Sequence, residues 1–89
     1  MLNRVYQTKF VKDLKLLQKR DKDFSKLSLV IDFILNQEPL PPKYRNHKLK
    51  GQYNNNWECH IEPDWLLIYM KIGKDAIFAR TGSHSDLFK

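Results

Sequence analysis

The sequence predicts a small α+β domain in two layers, with a helical hairpin packed on an antiparallel sheet of about four strands. In the first 36 residues apolar side chains recur every three or four positions, as in amphipathic helices. From residue 57 onwards apolar and polar side chains alternate, or apolar ones run on, as in strands. With 89 residues, the chain 1–89 is interpreted as a single domain.

The N-terminal segment is interpreted as a strand followed by a helix. Residues 2–7 are rich in strand formers and predict a short first strand. A helix from Lys9 to about Arg20 follows, with Thr8 as its expected cap. Its lysines fall mostly away from the apolar side chains, so the outer face of this helix is expected to be basic.

A second helix is predicted after a polar break, with Asp23 or Ser25 as its cap and an end near Asn36. Five of its residues have the spacing of a buried face: Leu27, Val30, Ile31, Ile34 and Leu35. Three prolines then prevent the helix from resuming, because proline lacks the backbone N–H donor: Pro39, Pro41 and Pro42. A loop is expected from there to about Asn46.

The first strand of the C-terminal half is predicted near residues 57–62. Trp57, Cys59 and Ile61 alternate there with Glu58, His60 and Glu62. Since successive side chains of a strand point to opposite faces, one face is expected to be apolar and the other polar.

The remaining strands follow through short turns. Pro63 and Asp64 predict the first turn. Residues 65–71 are almost continuously apolar, which is typical of a central strand covered on both faces. Residues 76–80 predict a further strand, and residues 84–88 a tail or a single turn of helix.

The charge of the chain favours a polyanionic partner. Lysine and arginine total 16 against 10 acidic residues, which gives a net charge of +6. Each basic contact to a nucleic-acid phosphate releases bound counterions, so such a surface attracts RNA or DNA. A basic surface that serves solubility alone is the other interpretation.

No metal, cofactor or membrane segment is predicted. Cys59 is the only cysteine, so an intramolecular disulfide framework is excluded. The three histidines are 13 and 24 residues apart and match no compact metal-ligand motif. The N-terminus lacks the apolar region of a signal peptide and no apolar run reaches the length of a membrane span, so the chain is expected in the cytosol.

The C-terminal half contains the residue types needed to cleave RNA without a metal. The 2′-hydroxyl can attack the adjacent phosphate if a base takes its proton, an acid protonates the departing 5′-oxygen and cations balance the developing charge. Histidine suits both proton roles because its unperturbed pKa lies near 6.5. The candidates are His47, His60, Asp64, Arg80 and His84.

Each candidate also has a structural interpretation. His47 lies in a basic loop, where nearby positive charge would favour a neutral imidazole, or it is simply a surface histidine. His60 is on the polar face of its strand, and Asp64 either orients its ring or caps the turn. Arg80 is a phosphate clamp or the partner of a salt bridge. His84 is an acid/base group or a polar residue of the tail.

Aromatic side chains could hold the RNA bases. Trp57, Trp65 and Tyr69 are the candidates, and core packing is the expected role for at least two of them. Phe88 either covers a site or closes the core.

Three blocks in this order resemble the YafQ branch of the RelE/ParE superfamily of toxin–antitoxin toxins. They are HKLKG at His47–Gly51, HIEPDWLLIY at His60–Tyr69 and RTGSHSDLF at Arg80–Phe88. The resemblance covers most of the chain. The stretch Gln52–Asn56 is richer in asparagine than expected of that family.

The resemblance implies a compact RelE-like fold and a ribosome-dependent mRNA endoribonuclease that cuts the codon in the A site. It implies catalysis without a metal or cofactor. The partners would be the ribosome, mRNA and an antitoxin of DinJ or RelB type, and the free toxin is expected to be a monomer.

The resemblance also implies roles for particular residues. His84 would be the general acid and His47 the general base, although exchanging His47 with His60 fits equally well. Arg80 would stabilise the phosphorane, and His60 with Asp64 would position the substrate. Phe88 would lie near the scissile bond, and three further residues would contact RNA: Lys48, Lys50 and Trp65.

Two other functions remain open at this point. One is a ParE-like toxin of the same fold that inhibits DNA gyrase without catalysis, and the other is an RNA-binding module. The presence of three histidines favours the endoribonuclease, because a toxin that only binds does not need proton-transfer groups.

Overall fold

The computed structural model describes residues 1–51 and 55–88, and the predicted α+β fold is confirmed. The strands are β1 (Asn3–Tyr6), β2 (His47–Lys48), β3 (Trp57–Glu62), β4 (Trp65–Ile72) and β5 (Asp75–Gly82). The helices are α1 (Thr8–Lys19), α2 (Phe24–Leu35) and α3 (His84–Leu87), and a 3-10 turn spans Pro42–Tyr44. In this described part of the chain, no helix has the length and apolar character that crossing a membrane requires.

Within the described residues the strands form one mixed sheet in the order β1-β5-β4-β3-β2. β3, β4 and β5 are antiparallel neighbours, as predicted. β2 lies where a loop was expected, and it pairs antiparallel with β3. β1 adds a fifth strand, parallel to β5, with Asn3 opposite Asp75 and Tyr6 opposite Phe78. Parallel pairing requires a long crossover connection, and here the helices and the meander lie between the two strands in sequence.

The helix boundaries follow from local hydrogen bonds. The backbone N–H of Gln7 donates to the Phe78 carbonyl at 3.1 Å, so Gln7 ends the pairing of β1 and becomes the N-cap of α1. Thr8, the expected cap, is therefore the first helical residue. At α2 the predicted cap Asp23 is confirmed, since its carboxylate accepts the Ser25 N–H at 3.0 Å.

The main core lies between the helices and one face of the sheet, and the predicted apolar face of α2 is buried in it. Trp65 of β4 is 0% exposed there, and its indole N–H donates to the Thr81 hydroxyl at 2.9 Å. Trp65 therefore cannot stack on an RNA base, and that prediction is wrong. The physical reason is strand alternation, which turns Trp65 and Tyr69 towards the helices together.

A second, smaller cluster covers part of the opposite face. Leu66 and Ile68 of β4 pack there with Leu87 of α3. The prediction of a central strand covered on both faces is thus confirmed for β4. Towards β3 and β2 the same face carries polar side chains instead of apolar ones, and the candidate site lies on that part of the sheet.

The structure also bears on the asparagine-rich stretch. Residues 52–54 of Gln52–Asn56 lie outside the described part of the chain. β3 begins at Trp57, as the alternating pattern predicts, and its backbone pairing with β2 is extended by a 2.9 Å hydrogen bond from the Leu49 N–H to the Asn56 carbonyl.

Candidate active site on the polar face of the sheet

The pairing of β2 with β3 brings two of the histidines together. His47 lies opposite Glu58, and His60 follows Glu58 by two residues on β3, so all three side chains are on one face. The ring centroids of His47 and His60 are 6.4 Å apart. His47 was expected in a loop, but it lies on an edge strand because its backbone pairs with β3.

The pairing of β4 with β5 brings the third histidine to the same place. Leu66 lies opposite Gly82, so the turn between β3 and β4 is beside the start of α3. The His84 ring lies 6.0 Å from that of His60 and 6.3 Å from that of Phe88. We call the four side chains His47, His60, His84 and Phe88 the histidine row.

Asp64 pairs with His84 and not, as expected, with His60. One oxygen of its carboxylate lies 2.7 Å from His84 Nδ1 and accepts the His84 backbone N–H at 3.0 Å. These two contacts, the backbone one first, lower the pKa of Asp64 below its ordinary value. Asp64 precedes Leu66 by two residues and His84 follows Gly82 by two, so the β4–β5 register determines this pairing.

Each histidine has an oxygen atom beside its Nδ1. The Arg45 carbonyl lies 2.7 Å from His47 Nδ1, and the Pro63 carbonyl lies 3.2 Å from His60 Nδ1. Because a carbonyl oxygen can only accept, Nδ1 carries a proton in both rings, and the carboxylate of Asp64 favours the same tautomer in His84. This leaves Nε2 as the nitrogen of each ring that could exchange a proton with a substrate.

Glu58 was missed by the sequence analysis as a site residue. It is 5% exposed, and its Oε1 lies 3.5 Å from His47 Nε2 and 3.6 Å from His60 Nε2. The charged neighbour of His47 in the structure is thus a carboxylate, whereas the sequence pointed to lysines and arginine. Its position two residues before His60 in an alternating strand was the available signal.

Arg80 makes a two-pronged salt bridge with Asp13 of α1. Its Nε and Nη2 donate to the two carboxylate oxygens at 2.8 and 3.1 Å, and Asp13 also accepts the Thr81 N–H at 3.0 Å. The salt-bridge interpretation of Arg80 is therefore observed, and it fixes the orientation of the guanidinium. Asp13 was also missed, although a carboxylate within the apolar stripe of Phe10 and Leu17 is a recognisable signal.

A second ion pair fixes α3, the helix that begins with His84. Ser83 and Asp86 form a reciprocal capping box, and both oxygens of Asp86 accept from Arg20, which follows α1, at 2.7 and 3.1 Å. The Arg20 hydrogen bond is the main cause that lowers the pKa of Asp86 far below its ordinary value. A Cβ at Gly82 would lie 2.9 Å from Asp86, so only glycine allows this approach without a shift.

The two lysines predicted to bind RNA follow His47 in sequence. Lys48 and Lys50 are both exposed. Lys48 alternates with His47 on β2, and its ammonium lies 5.8 Å from the centre of the Trp57 ring. It therefore lies on the opposite face of the strand from the histidine row.

Within residues 1–51 and 55–88, no three or more His, Cys, Asp or Glu side chains are arranged to hold a metal ion. Glu58 contacts two histidines and Asp64 the third, so the potential ligands are divided into two groups along the row.

Comparison with known proteins gives a consistent result. A sequence profile for a bacterial toxin of type II toxin-antitoxin system, YafQ, matches residues 2–89. The mRNA interferase toxin YafQ of Escherichia coli (strain K12) is 43% identical over 84 residues, which cover 93% of this chain and 91% of the relative.

Two crystal structures extend this comparison. A chain of the E. coli DinJ-YafQ complex has a TM-score of 0.91 and 40% identity, covering 100% of both chains. A metal-bound toxin from Helicobacter pylori has a TM-score of 0.93 and 41% identity, covering 99% of this chain and 100% of that one.

The Arg20–Asp86 pair predicts a specific pH dependence of stability. Because the folded-state pKa of Asp86 is depressed, its contribution is present above the unfolded value of about 3.9 and is lost as pH falls further. Arg20→Gln should therefore be less stable than the parent at pH 6, and the difference should shrink at pH 3. Urea unfolding at both pH values measures the difference in the free energy of unfolding between the parent and the variant.

The control is Lys19→Gln, which removes the same charge from the exposed end of α1. The other carboxylates are present in the parent and in both variants, so their contributions cancel when the free energies of unfolding are subtracted. An Arg20→Gln deficit of equal size at pH 6 and pH 3 would contradict the assignment.

Proposed function

The chain belongs to the YafQ family of bacterial toxins of type II toxin–antitoxin systems, and from this premise we propose that it cleaves mRNA in the ribosomal A site. The observation that carries the proposal is the histidine row, in which three imidazoles present the same nitrogen on one face of the sheet. The proposed place of action is the cytoplasm, where translating ribosomes are found. The E. coli relative is an mRNA interferase, which supports the same substrate class here.

In the proposed reaction the 2′-oxygen bonds to the adjacent phosphorus while the bond to the 5′-oxygen breaks, which leaves a cyclic phosphate. His47 takes the hydroxyl proton on Nε2, and the Arg45 carbonyl keeps its Nδ1 protonated. The imidazolium formed in this step lies beside the buried carboxylate of Glu58, which stabilises it. His60 has the same relation to Glu58 and is the alternative base.

His84 is the proposed acid at the departing 5′-oxygen. The Asp64 carboxylate, 2.7 Å from Nδ1, orients the ring and leaves Nε2 to deliver the proton. Arg80, oriented by Asp13, is proposed to balance the charge that builds on the phosphorus. Phe88, 40% exposed beside His84, is proposed to stack on a base near the scissile bond.

The proposed protein partner is an antitoxin of DinJ or RelB type. The E. coli relative has been crystallised with DinJ, and that chain has the same fold over its full length. We propose that an antitoxin of this type suppresses the toxin, and that the free toxin is a monomer.

His84→Ala is expected to lower the rate of mRNA cleavage by about 10²- to 10⁴-fold, because the leaving oxygen then departs without a placed acid. Single-turnover cleavage on programmed ribosomes measures this rate. Ser85→Ala, at the next exposed position of α3, is the matched control and should retain the parent rate. An unchanged rate for a folded His84→Ala protein would exclude the acid role.

Removal of bound transition metals is expected to leave cleavage unchanged, because the 2′-hydroxyl supplies the nucleophile and histidines move the protons. The relative from H. pylori is metal-bound, so the test is needed. The toxin is treated with chelator, dialysed and assayed with only the magnesium that the ribosome requires. Activity that disappears and returns with zinc or copper would overturn the metal-independent mechanism.

Cleavage is expected to be much faster on the ribosome than on free mRNA, because a small domain has few elements to hold a flexible strand in line. Positioning accounts for up to roughly 7–11 kcal/mol of barrier lowering in well-oriented systems. Single-turnover rates on one message, free and ribosome-bound, across a salt series measure the difference. Equal rates on both substrates would indicate a general ribonuclease.

Lys48→Glu combined with Lys50→Glu should weaken ribosome association, because both lysines are exposed and lie within three residues of His47 in sequence. Lys71→Glu with Lys74→Glu makes the same charge change at exposed positions around the turn between β4 and β5. An equal loss of ribosome binding in both pairs would mean that net charge alone, and not the position of Lys48 and Lys50, is responsible.

A further inference from the structure

A cleft of about 470 Å³ opens beside the histidine row, and His60 forms part of its lining. Its volume lies within the range of small-molecule sites. Because His60 belongs to both the cleft and the row, the cleft adjoins the row.

The charges around the cleft suit a phosphate. Lys26, Lys43 and Arg45 line it together with one carboxylate, that of Glu62. Glu62 is neutralised by Lys26 at 2.8 Å and Lys22 at 3.1 Å, so the lining keeps a net positive charge. Lys43 and Arg45 are exposed and contribute that charge on the side of the 3-10 turn.

The remainder of the lining suits a nucleobase. Leu29, which is 51% exposed, provides most of the apolar surface, and the largely buried Tyr44 and Ile61 contribute only their edges. Pro63 lines the side next to the turn between β3 and β4. Single-stranded RNA is commonly held by stacking and apolar contact with its bases and by cations at its phosphates, and the cleft offers both kinds of contact.

Arg45 links the cleft to His47, the proposed general base. Its backbone has φ of 48°, in the left-handed region that a side chain rarely adopts, and its carbonyl accepts from His47 Nδ1 at 2.7 Å. Arg45 caps the end of the 3-10 turn, a position at which the left-handed conformation is common. The residue that fixes the tautomer of His47 therefore also lines the cleft.

We propose that this cleft binds one nucleotide of the mRNA next to the scissile bond. The base lies on the apolar surface of Leu29, Tyr44 and Ile61, and the phosphate lies between Lys43 and Arg45. This inference rests on the proposed function, since it assigns a second contact for the strand that the histidine row cuts.

The test combines a protein change with a message change. Lys43→Gln with Arg45→Gln removes the two cations and keeps the backbone carbonyl that contacts His47. Two messages carry an uncharged methylphosphonate, one at the linkage 5′ to the cut and one at the linkage 3′ to it. Single-turnover cleavage on ribosomes is measured for all combinations.

If the cleft holds the neighbouring phosphate, the double variant loses about tenfold in rate at subsaturating toxin, and one of the two methylphosphonates costs the parent a similar factor. Applied together, the two changes cost no more than either alone, because they remove the same contact. Lys12→Gln with Lys15→Gln, at exposed positions of α1, is the control, and its effect multiplies with that of the methylphosphonate.

The proposal would be overturned if, on both messages, the rate loss caused by Lys43→Gln with Arg45→Gln multiplied with the loss caused by the methylphosphonate. The two cations would then act on ribosomal RNA or through net charge. If the parent cleaves no message on the ribosome, the proposed function itself fails. Nucleotide binding in the cleft is then tested separately by titrating the protein with a short single-stranded RNA and following the amide resonances of Tyr44 and Ile61. Shifts lost in the double variant support a nucleotide site, and unshifted resonances in the parent overturn it.

Discussion

The meeting of His60, Asp64 and His84 depends on the register in which β4 pairs with its two neighbours. β4 is buried on both faces, so sliding it by one residue would turn Trp65 and Tyr69 out of the core. The same register places Leu66 between His60 on β3 and Gly82 on β5, which brings Asp64 to His84. The packing of an apolar strand thus decides which titratable groups meet.

The positions of the catalytic candidates are then fixed by ion pairs that connect the two layers. Asp13 connects α1 to β5 through Arg80, and Arg20 connects the end of α1 to Asp86 in α3. Glu62 connects β3 to the start of α2 through Lys26. In a thin domain with a small core, breaking a partly buried pair of this kind leaves a charge without its partner, which is costly even when the intact pair adds little stability.

The sequence by itself determined the order of α1, α2 and the strands other than β2, the buried face of α2, the apolar character of β4 and a cap at Asp23 or Ser25. These features depend on local periodicity and on the chemistry of single residues, which an amino-acid string states directly. The identity of the three histidines as candidates was likewise readable, because their residue type defines what they can do. The motifs around them also led to the correct family.

Only the tertiary structure decided how the candidates are partnered. Asp64 lies four residues from His60 in sequence but pairs with His84, and Trp65, which was predicted to contact RNA, faces the core. Glu58 joins His47 and His60 through a cross-strand register that the sequence does not state. A strand pattern tells which residues share a face, whereas the register between strands arises from the burial of all of them together, and the register selects each partner.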